Sequence, residues 1–173
     1  MIVKARDVVT KSWVVYHPEI LAAPETGYVL LDLPNTPASS STIWNDTSPT
    51  DTQFTVGTSN AMNNSSGNYV AYLFAGIAGF SKFGSYDGNG STDGPFINCG
   101  FTPALVISKR ISLTGTWNMW DSARSPINPS NERLFADQTA AEVISGGEVD
   151  LVANGFKIRN TGAAISASSE TYL

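Results

Sequence analysis

The sequence predicts an all-β protein built from two related, jelly-roll type β-sandwich units in tandem. Three observations carry that expectation. Short runs of β-branched and aromatic residues recur along the chain, turn-forming clusters separate them, and a set of landmark residues repeats at nearly constant spacing.

Met1-Ile2-Val3-Lys4 reads as a strand already under way. Ser12 to His17, Tyr28 to Leu31, Thr52 to Val56 and Tyr69 to Phe74 follow, each rich in residues that suit a pleated, half-buried surface. Asn63 to Asn68 and Asp87 to Gly90 supply turns between strands. The single helix expected is Ala136 to Val143, of one or two turns. Alternation at Trp13/Val15 and at Trp117/Met119 predicts one buried face per strand, with the aromatic bulk dominating each core.

The repeat pairs Lys4 with Lys109, Trp13 with Trp117, Asp32 with Asp137, Phe54 with Phe156 and Tyr69 with Tyr172. The offsets are 105, 104, 105, 102 and 103 residues, a constancy that unrelated strands of similar composition do not produce easily. The first copy is assigned to residues 1–80, truncated at its start, and the second to 81–173, truncated at its end. On this reading both ends fall within a strand, as expected for a segment of a longer polypeptide.

Composition narrows the function. Of 173 residues 42% are apolar, enough for a real core, whereas only 14% are charged. Ser, Thr and Asn supply the remaining polarity. A net charge of −5 without any Lys/Arg cluster disfavours nucleic acid as a partner. The longest apolar run, Tyr69 to Phe80, is too short and too glycine-broken to cross a membrane.

Catalytic groups are sparse. His17 is the one histidine and no nucleophile elbow accompanies it. Cys99 is the one cysteine, expected as a buried, inert thiol, so neither a disulfide framework nor a zinc set is available. Fifteen carboxylates are present, but context sets no pair apart for glycoside hydrolysis. Asp121 and Arg124 suit a local ion pair closing a strand–loop junction. In the loop Asp87 to Gly94, side-chain oxygens alternate at Asp87, Asn89, Ser91 and Asp93 and could converge on calcium. A tight glycine-rich hairpin accounts for the same residues. No other cofactor is expected.

The stretch Ser85 to Phe96, followed by Gly100 to Val106, resembles a repeated module of tailed-phage structural proteins, frequent in marine phages and usually described as tail fibres or tail-associated proteins. Lys109-Arg110, Trp117, Asp121 to Pro126 and Gly155 to Ile158 continue the resemblance, and Asn68 to Tyr72 carry it more faintly in the first half. The first half departs from the pattern at His17-Pro18, where the second has Asp121-Ser122. The resemblance implies concanavalin/laminin-G-like sandwiches on a virion surface without a defined enzymatic activity or known ligand residues.

The expected function is therefore a virion structural protein of tail-fibre or receptor-binding type. Its partners would be other virion subunits, as a homo-oligomer such as a trimer, and host-surface glycans. A capsid decoration or filament subunit is the first alternative. A polysaccharide-degrading tailspike is the second.

Overall fold

The computed structural model describes residues 1–8 and 10–173. The protein is all-β, with 32% strand and 4% helix. It divides into two compact units, Met1–Phe74 and Ala75–Leu173.

In the first unit, β1 (Ile2–Ala5), β2 (Val14–Val15), β3 (Gly27–Leu30), β4 (Ala38–Ser39) and β5 (Tyr69–Tyr72) form one antiparallel sheet, ordered β4-β3-β2-β1-β5. A 3-10 turn, Pro24–Thr26, precedes β3, and one short helix, α1 (Ser41–Trp44), follows β4. Ser40 caps α1 by accepting the Thr42 N–H, and Asn45 ends it in the left-handed region at φ 55°. Val3, Val14, Ile43, Trp44 and Met62 form the core. The buried Trp44 indole finds its acceptor in the Gly27 carbonyl at 2.9 Å.

The second unit contains β6 (Tyr86–Asp87), β7 (Phe96–Asn98), β8 (Leu105–Lys109), β9 (Trp117–Asp121), β10 (Ser130–Phe135), β11 (Val143–Val152), β12 (Gly155–Ile158) and β13 (Thr171–Tyr172). Six strands form a sheet ordered β7-β12-β11-β10-β9-β8, and β13 pairs with β6. Lys109 and Leu173 exchange backbone hydrogen bonds, which carries the ladder from β8 across to β13. Val106, Trp120, Val149, Phe156, Ile158 and Ile165 form this core. Gly155 permits the close approach of β12 to β7, since a Cβ there would lie 1.9 Å from the Ile97 carbonyl oxygen.

Four of the five paired landmarks, all but Phe54 and Phe156, occupy equivalent positions in the two hydrogen-bond patterns. Ile2 faces Val15 and Val3 faces Val14, as Ile107 faces Met119 and Ser108 faces Asn118. Val14 faces Leu30 as Asn118 faces Phe135, and Gly27 faces Ser39 as Glu132 faces Ile144. Ala5 faces Tyr69 as Arg110 faces Tyr172. The details persist in side chains. Asp32 accepts the Trp13 N–H at 3.0 Å, and Asp137 accepts the Trp117 N–H at 3.1 Å.

Three local expectations are corrected. Thr52 to Val56 is not a strand, because the segment that would pair with it ends α1 at Trp44 and turns away through left-handed Asn45 and Asp46. In the second unit the equivalent Phe156 to Ile158 does pair, with β11 and β7. Ala136 to Val143 is a turn and loop leading into β11, not a helix. The alternation at Trp13/Val15 and Trp117/Met119 also fails. Val14 and Val15 are both buried, as are Trp117, Asn118 and Trp120, so these strands are covered on both faces.

Candidate functional site

A shallow, open depression of the first unit lies where β1, β2 and β5 meet. Side chains of one strand alternate between faces, so Lys4 and Arg6 emerge on the same side of β1 and its continuation. Cross-strand register places Val70 opposite Lys4 and Tyr72 opposite Ile2, while the Arg6 N–H prolongs the pairing by donating to the Asn68 carbonyl at 2.7 Å. Trp13 is held at the entrance to β2 by its two main-chain bonds, to the Asp32 carboxylate and from the Leu31 N–H.

These placements create an aromatic ledge. The Trp13 and Tyr72 rings stack with centroids 6.1 Å apart and planes inclined by 23°. The Lys4 ammonium lies 5.9 Å from the Trp13 centroid, within cation–π range, and donates to the Lys11 carbonyl. Tyr69, packed against the core beneath the strand, anchors this end of β5, its hydroxyl donating to the Asn60 carbonyl and accepting the Asn64 N–H. The result is an open groove of about 540 Å³ whose lining includes Lys4 and Arg6 but no carboxylate. Trp13 is half-buried and Tyr72 is 47% exposed, so the ledge is both fixed and accessible. A flat aromatic surface flanked by N–H donors can stack on the C–H face of a sugar and hydrogen-bond its hydroxyls.

The loop proposed for calcium is organised differently. Asn89 Oδ1 accepts the Ser91 N–H, Ser91 Oγ accepts the Asp93 N–H, and Asn89 Nδ2 donates to the Asp93 carbonyl. Asp87 accepts from Thr171 Oγ1 at 2.8 Å, while Asp93 pairs with Lys157 at 2.8 Å. That hydrogen bond from Lys157 holds the exposed Asp93 carboxyl below its ordinary pKa. The four residues thus stabilise a turn and its two flanks. Among the described residues, no group of three or more His, Cys, Asp or Glu side chains could hold a metal ion.

His17 accepts the Glu19 N–H on Nδ1, and burial lowers its pKa to about 4. Cys99 is half-buried rather than fully enclosed, because β7 is an edge strand; partial burial raises its pKa and disfavours the reactive thiolate. Asp121 and Arg124 form their ion pair at 2.6 Å, and Arg124 also pairs with Glu142. Asp121 is shifted down chiefly by the Arg124 backbone N–H.

Sequence reasoning missed a buried polar cluster in the second unit. Glu148, 3% exposed, accepts the Trp120 indole N–H at 3.0 Å and pairs with Arg133 at 2.9 Å. Every strong donor facing this carboxylate belongs to the sheet's own interior, which marks a packing element. It also missed the groove, whose parts, residues 4–6 with Trp13 and residues 69–72, are far apart in the chain.

No match was found among curated proteins or among solved structures. A family match extends over residues 1–173, and the chain belongs to that family, the domain of unknown function DUF7483.

Proposed function

We propose that this chain is a virion structural protein of tail-fibre or receptor-binding type that binds host-surface glycans rather than catalysing a reaction. The observation carrying this reading is the Trp13–Tyr72 ledge, a pre-positioned aromatic surface beside the Lys4 and Arg6 side chains. Sugars are recognised by such surfaces without high net charge or a catalytic constellation. The two units are read as tandem, concanavalin-like jelly-roll sandwiches, which the recurring strand registers support. Exposed Leu73, Ile77 and Phe80 support assembly with further copies as a homo-oligomer, such as a trimer.

A panel of immobilised host-surface glycans, probed with the intact chain, tests the proposal. Retention should occur on a subset of glycans and fall at least about tenfold in Trp13→Ala and Tyr72→Ala, the scale of one lost stacking contact. Equal retention by folded variants would remove the ledge from the site. Steady release of reducing ends would establish a hydrolase instead.

A further inference from the structure

We propose that the saccharide this groove takes is anionic, carrying a carboxylate or a sulfate; the inference rests on the glycan reading above and specifies its ligand class. The chain as a whole is acidic, with 15 Asp and Glu against 10 Lys and Arg. The groove reverses that balance, being lined by two cations and no acid.

The two cations differ in role. Lys4 is half-buried and steered by the Trp13 ring and the Lys11 carbonyl, so its charge is fixed beside the ledge. Arg6 is exposed and makes no ion pair among the described residues. Its planar guanidinium presents paired N–H donors that match the oxygens of a carboxylate or sulfate ester. The adjacent acid, Asp7, has its Oδ2 engaged by Asn68, whose backbone and side-chain N–H groups both donate to it. A sugar ring stacked on Trp13 and Tyr72 would thus place a substituent between a fixed and a reachable positive charge.

The second unit lacks this arrangement at the equivalent positions. Lys109 is fully buried there, Trp117 is 7% exposed, and Ile111 stands in the place of Arg6. The basic ledge is a property of the first unit rather than of the shared frame.

Affinity electrophoresis of the intact chain tests this through gels containing polygalacturonate, dextran sulfate or neutral dextran. Expected is retardation by one or both anionic polymers, at least about fivefold tighter than by dextran, weakening several-fold between 50 mM and 500 mM salt. The two anionic gels distinguish carboxylate from sulfate recognition. Arg6→Glu should abolish the anionic preference while preserving the circular dichroism spectrum, and Trp13→Ala should reduce retardation in every gel. Equal retardation by dextran, unaffected by Arg6→Glu, would overturn the anionic assignment yet leave glycan binding standing. Absence of retardation in all three gels, together with no glycan retained on the panel, would overturn both.

Discussion

The two units build one strand frame around different interiors. In the first, Tyr16 meets Trp44 edge-on at 5.8 Å, and Ile43 lies in the core. In the second, Trp120 takes the place of Tyr16 and Val149 that of Trp44, so one aromatic of the pair gives way to a small aliphatic side chain. Glu148 takes the place of Ile43, a match fixed by the backbone bonds Gly57 N–H to Ile43 and Arg159 N–H to Glu148. Arg133 then stands where the first unit has Tyr28. The comparison teaches that strand register survives the replacement of an apolar pair by an ionic one, with the buried carboxylate's own hydrogen bonds satisfied by Arg133 and the Trp120 indole.

The largest expected effect breaks that satisfaction. Glu148→Ala leaves Arg133 and the Trp120 indole without their shared acceptor, and should cost about 3–5 kcal/mol in chemical denaturation. Replacing both members by their first-unit counterparts, R133Y/E148I, should cost less than the single change. If the double variant proves worse, the interiors are not interchangeable and the comparison fails.

Next come the tryptophans. Trp117→Ala should cost about 3–5 kcal/mol, the usual range for emptying a buried aromatic site. Trp13→Ala, at the half-buried equivalent position, should cost no more than half as much and act mainly on binding. Thermal melts of the two variants check the ordering; equal losses would show that the ledge is also a structural keystone.

The tyrosines sharpen the comparison further. Tyr172 and Tyr69 make the same two bonds, the hydroxyl donating to Ala163 or Asn60 and accepting from Ala167 or Asn64. Tyr172 is fully buried, whereas Tyr69 is half-exposed. Tyr172→Phe should cost about 1–3 kcal/mol, and Tyr69→Phe less, because water can replace the lost partner.

The last effects are pH-dependent. Burial lowers Lys109 to about 8 from 10.5. Its protonated form is disfavoured in the folded state, so the penalty is complete below pH 8 and lifts as pH rises toward 10.5. Stability should therefore increase with pH over that window, and Lys109→Met should flatten the rise. Burial holds His17 near 4, so folding should weaken as pH falls from 6.5 toward 4, a slope that His17→Asn removes. Thermal melts across both ranges read these slopes.

Much of the frame was legible because strand pairs leave local marks. Tyr28 to Leu31 and Tyr69 to Tyr72 announce themselves by composition, and Lys4, Trp13, Asp32 and Tyr69 each make a contact that needs that residue type. What was not legible depends on partners distant in sequence. Phe54 to Val56 and Phe156 to Ile158 look alike, yet only the second finds strands beside it. The groove was hidden because its charge comes from β1 and its aromatic edge from β5. The Lys-Ala-Arg alternation at 4–6, unusual in an acidic chain, is the signal that could have found it.

One feature of the shared frame bears on how such units diverge. The Lys4 and Lys109 amines close equivalent turns by donating to the carbonyls of Lys11 and Gly115. The tyrosine hydroxyls likewise grip main chain at both ends, and Asp32 and Asp137 hold a main-chain N–H. In each pair only one side chain must keep its identity, because the other partner is a peptide group that every sequence supplies. Half of every contact is thus exempt from mutation. Turns can gain or lose a residue, and interiors can trade a carboxylate for an isoleucine, while three anchor residues in each unit hold the same architecture.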